Sequence, residues 1–277
     1  MSVQHTVVFA DGPGGGNPCP VVFGAEDWPE ERMQALAATY GQETGFVLPP
    51  AAGGALRLRY FVPRHEMEMC VHATVASVVV AGRRNGWPAG PVNVETPLGP
   101  LEVQWDGVDH VMVQQFPPVF GEAVEDLEPV LAALGAGDND LDLEVGPVVS
   151  VSTARPKLFV PLRSEEALDR LQPDSAAVDA LSEGLAVTGV YAFTVRAKGA
   201  DAAARQFPRG AGYPEDPATG VAACALGAYL AHYRGTAGTL TIAQGRAMGR
   251  PSLIKVQAQA NPSARPQVGG HAYLTGV

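Results

Sequence analysis

The apolar positions change period several times along the chain, and each change marks an element. Residues 3–9 and 19–23 are runs of β-branched and apolar side chains bounded by Gly and Pro, which predicts two strands around the glycine-rich turn 12–17. After Pro29 the spacing becomes helical: Met33, Leu36, Ala37 and Tyr40 share one face, and Gly41 stands where such a helix would stop. Strands are expected at 45–48, 56–61, 92–96, 101–105 and 111–116. Further on, helices are expected at 125–134 and 164–171, a strand at 187–196, a long helix at 217–233, and closing strands near Leu240, at 253–256 and at 271–274. The segments after His72 and after Asp216 carry apolar or small residues on nearly every face, the mark of a helix enclosed by its surroundings. The expected class is α+β, with curled mixed sheets each wrapped around a central helix.

Two segments are related to one another. RYFVPRHEMEMCVHATVASVVVAG begins at Arg59 and RQFPRGAGYPEDPATGVAACALGAYL at Arg205; Phe61 and Phe207 stand 13 and 12 residues before Thr74 and Thr219, a diverged duplication with a period near 146. It predicts two pseudo-symmetric lobes facing one cleft. The N-terminal lobe is placed at 1–118, with the last strand, 266–277, able to return to it, and the C-terminal lobe at 119–265. Each copy puts polar residues where a helix begins, and first-turn amides have no partner inside their helix. A carboxylate can settle there. The acids and bases at hand are Glu43, His72 and Asp216.

Composition narrows the functions open to the chain. Its 277 residues are 46% hydrophobic, enough for real cores. The net charge of −10, without a basic run, argues against nucleic acid as a partner. The longest apolar run, 73–81, is far below the roughly 20 residues that span a bilayer, and the start MSVQHTVVFADG has no basic n-region. A cytoplasmic protein without membrane partners is expected. Cys19, Cys70 and Cys224 form no close-spaced pair, as in a reduced compartment.

Several motifs fail on inspection. GPGGGN is followed by Pro18 and a strand rather than a helix, and no Gly-Lys-Ser/Thr is present. Asp138, Asp140 and Asp142 imitate an EF-hand start, but Leu143 and Val149 stand where its Gly and Glu belong, so a solvated acidic loop is expected. His65, Glu66, Glu68, Cys70 and His72 lack HExxH or CxxC spacing, and no metal is expected. No GxSxG nucleophile elbow occurs.

Five motifs carry a resemblance: GNP at 16–18, QET at 42–44, Cys-x-His-Ala-Thr at 70–74, EDPATG at 215–220 and QGRAMGRPS at 244–252. In this order they resemble the PhzF-like isomerase family of phenazine biosynthesis. The resemblance implies a diaminopimelate-epimerase-like fold, a homodimer, and isomerisation without a cofactor. In the family's best-known member a glutamate moves a proton between ring carbons of trans-2,3-dihydro-3-hydroxyanthranilate. By motif that glutamate is Glu43, with His72 and Asp216 assisting. The implied binding set for a small carboxylate-bearing substrate is Asn17, Val71, Ala73, Thr74, Thr219, Gly220 and Val221, the amides around 71–73 and 220–221 serving as donors.

The chain departs from the pattern at Val71, where the family has Gly, and at Val221, where it has Ser. A β-branched residue narrows the approach to a ligand, and a lost hydroxyl removes one donor, so a smaller or differently shaped pocket is expected. Two other readings stay open. Cys70 is placed for a thiol-based amino-acid racemase, although Cys224, eight residues past Asp216 and about 12 Å along a helix, is too distant to be the second thiol. The other is a silent binding protein that kept the cleft.

Overall fold

A computed structural model describes residues 1–276. The N-terminal lobe contains β1 (Ser2–Val8), β2 (Asn17–Phe23), α1 (Glu30–Tyr40), β3 (Thr44–Leu48), β4 (Leu56–Phe61), the short β5 (Glu66–Met67), α2 (Val71–Asn85), β6 (Gly90–Thr96), β7 (Gly99–Trp105) and β8 (His110–Gln114). The C-terminal lobe contains β9 (Val119–Ala123), α3 (Glu128–Leu134), β10 (Val149–Ser152), β11 (Lys157–Pro161), α4 (Glu165–Asp169), α5 (Ser175–Gly184), β12 (Gly189–Thr194), β13 (Ala202–Pro208), α6 (Gly220–Arg234), β14 (Gly238–Gln244) and β15 (Ser252–Ala258). The last strand, β16 (Gln267–Leu274), belongs to both.

That strand determines the architecture. Its residues 267–271 pair with β8, Ala272 to Leu274 pair with β1, and Gln267 to Gly269 pair with β15 on the opposite edge from β8. The first sheet therefore runs β1-β2-β3-β4-β6-β7-β8-β16 and closes back on β1, while the second continues from β16 through β15 to β9. Backbones crowd at this shared strand. A Cβ on Gly269 would sit 1.9 Å from the Val111 carbonyl oxygen, so only glycine fits there.

Each sheet curls around one helix. The first twelve residues of α2 and the first eleven of α6 are all buried, which their Val, Ala and Gly content permits on every face. Both helices have 15 residues, and both stop at a left-handed glycine, Gly86 and Gly235. The fold is α+β, as the patterning predicts. No helix among the described residues is long and apolar enough to cross a membrane.

Element by element, α1 begins after Pro29 and ends at Gly41 as its spacing predicts. The long second helix starts later than expected, at Gly220 with Thr219 as its N-cap. Asp216 and Pro217 therefore lie outside it, and the amide of Asp216 bonds the Gln206 carbonyl at 3.0 Å instead. The expected solvated acidic loop holds at Asp138, which is exposed, but not at Asp142, which is buried with its carboxylate 3.1 Å from the Arg196 guanidinium. Strands β5, β9, β10, β11 and β13 and helix α5 are additional to the expected elements.

Candidate active site

The two enclosed helices meet at their N-termini, and the cleft lies between the lobes around that meeting point. Val71 of α2 packs directly on Gly220 of α6: a Cβ at 220 would be 2.5 Å from Val71 Cγ1. Gly220→Ala is therefore expected to destabilise the protein by about 1–3 kcal/mol through overpacking, and Val71→Gly in the same chain, which removes the Val71 Cβ at 2.6 Å as well as Cγ1, should restore most of that. Chemical denaturation of the two single variants and the double variant measures it; additive losses would contradict the contact.

Glu43 follows the Gly41 cap and opens into β3, with its side chain largely buried. One carboxylate oxygen, Oε2, lies 2.9 Å from His72 Nε2 and accepts from the Cys70 thiol at 3.5 Å. The other, Oε1, accepts from the hydroxyl of Tyr213 at 2.8 Å. Tyr213 comes from the loop before α6, so the carboxylate is held by both lobes. Cys70 is the N-cap of α2, where its sulfur accepts from the Ala73 amide at 3.5 Å and lies 3.3 Å from His72 Nδ1.

Asp216 sits in a second network. Asn17 of β2 donates to its Oδ1 at 2.7 Å and to the Ala218 carbonyl at 2.9 Å, and the Thr219 hydroxyl donates to Oδ2. Gln244, at the end of β14, fastens the loop: its nitrogen donates to the Asp216 carbonyl at 2.7 Å, and its oxygen accepts from the Thr219 amide at 3.2 Å and the Tyr191 hydroxyl at 3.0 Å.

The cleft wall includes Glu43, Val71, His72, Asp216, Thr219, Gly220 and Val221. Asn17, Ala73 and Thr74 stand behind it. Asn17 orients Asp216, and Thr74 donates to the Cys70 carbonyl at 2.7 Å and meets the Tyr60 hydroxyl at 2.8 Å. The expectation that the Ala73 amide is a free donor is corrected, since Cys70 uses it. The amides of Val71 and His72, and of Gly220, Val221 and Ala222, have no acceptor among the described residues, as the first turn of a helix requires.

Burial dominates the electrostatics. It raises the Glu43 carboxyl, against the Tyr213 hydrogen bond that favours the ionised form. It raises the Asp216 carboxyl as well, helped by the charge of Glu43. His72 is pushed down to about 4 by burial, so its imidazole is neutral at pH 7. The Cys70 thiol is driven up by burial and then by Glu43. Two carboxyls that oppose each other's ionisation, one of them 2.9 Å from a neutral imidazole, make a site that can take a proton and return it near neutral pH.

Glu43, Cys70 and His72 place three donor atoms within 4.8 Å of one another, a set that could also hold a soft divalent cation. The second thiol of a two-cysteine site is not among the cleft residues. Cys224 is fully buried in α6, beside Thr153. Sequence reasoning missed Tyr213, Gln244, Arg155, Lys157 and Gln206. Tyr213, Gln206 and Gln244 lie within quoted segments; Arg155 and Lys157 carried no signal.

These features define an epimerase-like isomerase site between two lobes. The sequence pattern of the phenazine biosynthesis-like protein family, PhzC-PhzF, matches residues 6–276. The chain belongs to that family and is an isomerase. An uncharacterized isomerase of Bacillus subtilis (strain 168), YfhB, is 34% identical over 272 residues, covering 95% of this chain and 90% of its own. The crystal structure of a phenazine biosynthesis protein of the PhzF family from Bacillus anthracis superposes with a TM-score of 0.88 at 27% identity, covering 100% of this chain and 98% of the other. A probable proline racemase from Agrobacterium radiobacter K84 shares the fold at a TM-score of 0.63 and 14% identity, covering 99% of this chain and 92% of its own.

Proposed function

We propose that the chain moves a proton on a small carboxylate-bearing substrate without a cofactor, with Glu43 as the proton carrier. The observation that carries this reading is the environment of Glu43, a largely buried carboxyl facing the cleft with Tyr213 on one oxygen and His72 on the other. In its ionised form Glu43 takes a proton from a carbon acidified by the substrate's carboxylate or an adjacent unsaturated group. Charge builds on the substrate oxygens, where the unpartnered amides at the starts of α2 and α6 stabilise it. Asp216, whose carboxyl is raised to about 7 by burial and by the charge of Glu43, donates a hydrogen bond to the substrate in its protonated form. Return of the proton from Glu43 to a different carbon on the same face of the substrate gives the isomer and restores the base.

Val71 lodged against Gly220 fills the space where the two helix starts meet, which favours a substrate slimmer than the ring acid of phenazine biosynthesis. The thiol reading has less support, because Cys70 is pushed away from ionisation and Cys224 is not in the cleft wall. Deuterium incorporation from D2O, followed by mass spectrometry over cyclic and open-chain carboxylic acids including dihydrohydroxyanthranilate, tests the proposal. Exchange into one compound by the native enzyme is expected; exchange that depends on Cys70 and not on Glu43 would sink it.

Tyr213→Phe gives a second test. Glu43 must be ionised to accept a proton, so activity falls on the acid side as the carboxyl is protonated. Removing the Tyr213 donor takes away a bond that stabilises the ionised form, worth about 1.5–3 kcal/mol to a charged group. The acid limb of the pH–rate profile should move up by about one to two pH units. A limb that stays in place would mean that Glu43 is not the group it reports.

A further inference from the structure

The C-terminal lobe's wall of the cleft holds polar groups that the protein itself leaves unused. Lys157 opens β11, where the parallel register that sets Leu158 beside Val190 brings Lys157 beside Gly189. One strand further, Tyr191 of β12 stands beside Gln206 of β13. Alternation sends Phe159 and Tyr191 into the core around α6, while Leu158, Val190 and Phe207 pack the other face of the sheet. Lys157 and Gln206 share the inner face with Phe159 and Tyr191, at the end where the strands enter the cleft. Gly189 between them has no side chain to separate them; a Cβ there would lie 2.7 Å from Gln206 Nε2.

Lys157 is only 3% exposed, and the one acceptor for its ammonium among the described residues is the Thr188 carbonyl at 2.8 Å. Gln206 is fully buried, and neither its amide nitrogen nor its oxygen has a partner. A native protein seldom leaves such a group unsatisfied unless something else completes it. Arg155 donates to the Met67 thioether at 3.0 Å and lies 3.2 Å from the exposed Glu68 carboxylate, which leaves part of its five-donor fork free. Burial first, and then the charge of Arg155, push the Lys157 ammonium down to about 7, a cost that an anion between the two cations would offset. All three line the same cleft as Glu43, His72 and Asp216.

We propose that Lys157, Arg155 and Gln206 form a second anion subsite, so that the substrate is a dianion whose distal carboxylate lies on this wall while the first lies at the starts of α2 and α6. The inference rests on reading the cleft as a carboxylate-substrate site and adds the substrate class. Arg155 offers a planar fork to a carboxylate and Lys157 a point charge. The Gln206 nitrogen adds a neutral donor, and its oxygen is left for a hydroxyl or amino hydrogen on the same ligand.

Calorimetric titration of the native enzyme with succinate, glutarate and adipate, each beside its monoamide of equal length, tests this. At least one diacid should bind tenfold or more tightly than its monoamide. In Lys157→Met that preference should fall below about threefold with monoamide affinity unchanged, and Arg155→Gln, at a more accessible position, should reduce it independently. The subsite is ruled out if the native enzyme shows no preference, if the preference survives both substitutions, or if no diacid binds. Deuterium exchange measured in parallel separates the two proposals. Exchange that depends on Glu43 without any diacid preference defeats the second subsite alone, whereas a Lys157-dependent preference without exchange in any acid defeats the Glu43 reading alone.

Discussion

Glu43→Gln is expected to lower proton exchange by about a thousandfold or more, the scale of a lost general acid–base group, while the protein remains folded. The amide keeps the shape of the carboxyl. Its oxygen can still accept from Tyr213, and its nitrogen can still meet His72, so cleft geometry should be preserved. Stability gives an internal check through linkage. A carboxyl raised above its unfolded value contributes stability that is complete below the unfolded pKa and is lost as pH rises through the folded one. The variant, which has no such group, should therefore gain on the native protein in thermal unfolding as pH is raised from 5 to 8. Cys70→Ala should retain measurable exchange over the same range. If Glu43→Gln exchanges deuterium at the native rate, the carboxylate is a structural partner of His72 and the base must be sought at Asp216 or Cys70.

Local signals decided what could be read in advance. Gly41 ends α1 because a left-handed glycine stops a helix without strain, and the all-apolar faces of α2 and α6 told of enclosure before any sheet was known. The repeated Arg-x-Phe pair was visible too. In both copies the guanidinium lies over the phenylalanine two residues later, 5.1 Å from the ring centre. That the last strand could return to the first lobe was open from the sequence, but its register against β8 and β1 was not legible, because register between strands far apart in the chain leaves no mark on either one alone.

The cleft divides the same way. Glu43, His72 and Asp216 lie in short motifs, whereas Lys157 and Arg155, in the stretch ARPK, read like ordinary solvated charge until β11 places them inward. Asp142 misled for the same reason: its acidic neighbours imply solvent, and only the fold sets it against Arg196. The helix expected to begin beside Asp216 begins instead at Gly220, because the Asp216 side chain is bound by Asn17 and Thr219 and its backbone by Gln206 and Gln244.

The second large effect is expected at Arg205, far from any proton transfer. Its guanidinium makes a two-pronged contact with Glu215 at 2.9 and 2.8 Å and donates to the carbonyls of Leu168 and Leu171 at 3.1 and 3.0 Å. It thus joins β13 to the end of α4 and to the loop that presents Asp216. Arg205→Met leaves the carboxylate of Glu215 without its cation and strips two buried carbonyls of their donor, a loss of about 3–5 kcal/mol. Thermal unfolding should fall on the order of 10 °C, and exchange should weaken as the Asp216 loop loosens. The matching residue of the first lobe, Arg59, pairs with Glu66 at 2.6 Å and with the exposed Glu30 at 2.8 Å. Solvent can replace much of that contact, so Arg59→Met should cost only about 1 kcal/mol. Equal losses at the two positions would show that burial does not set the strength of the duplicated ion pair. A small loss at Arg205 would show that the Asp216 loop is held by Asn17 and Gln244 without it.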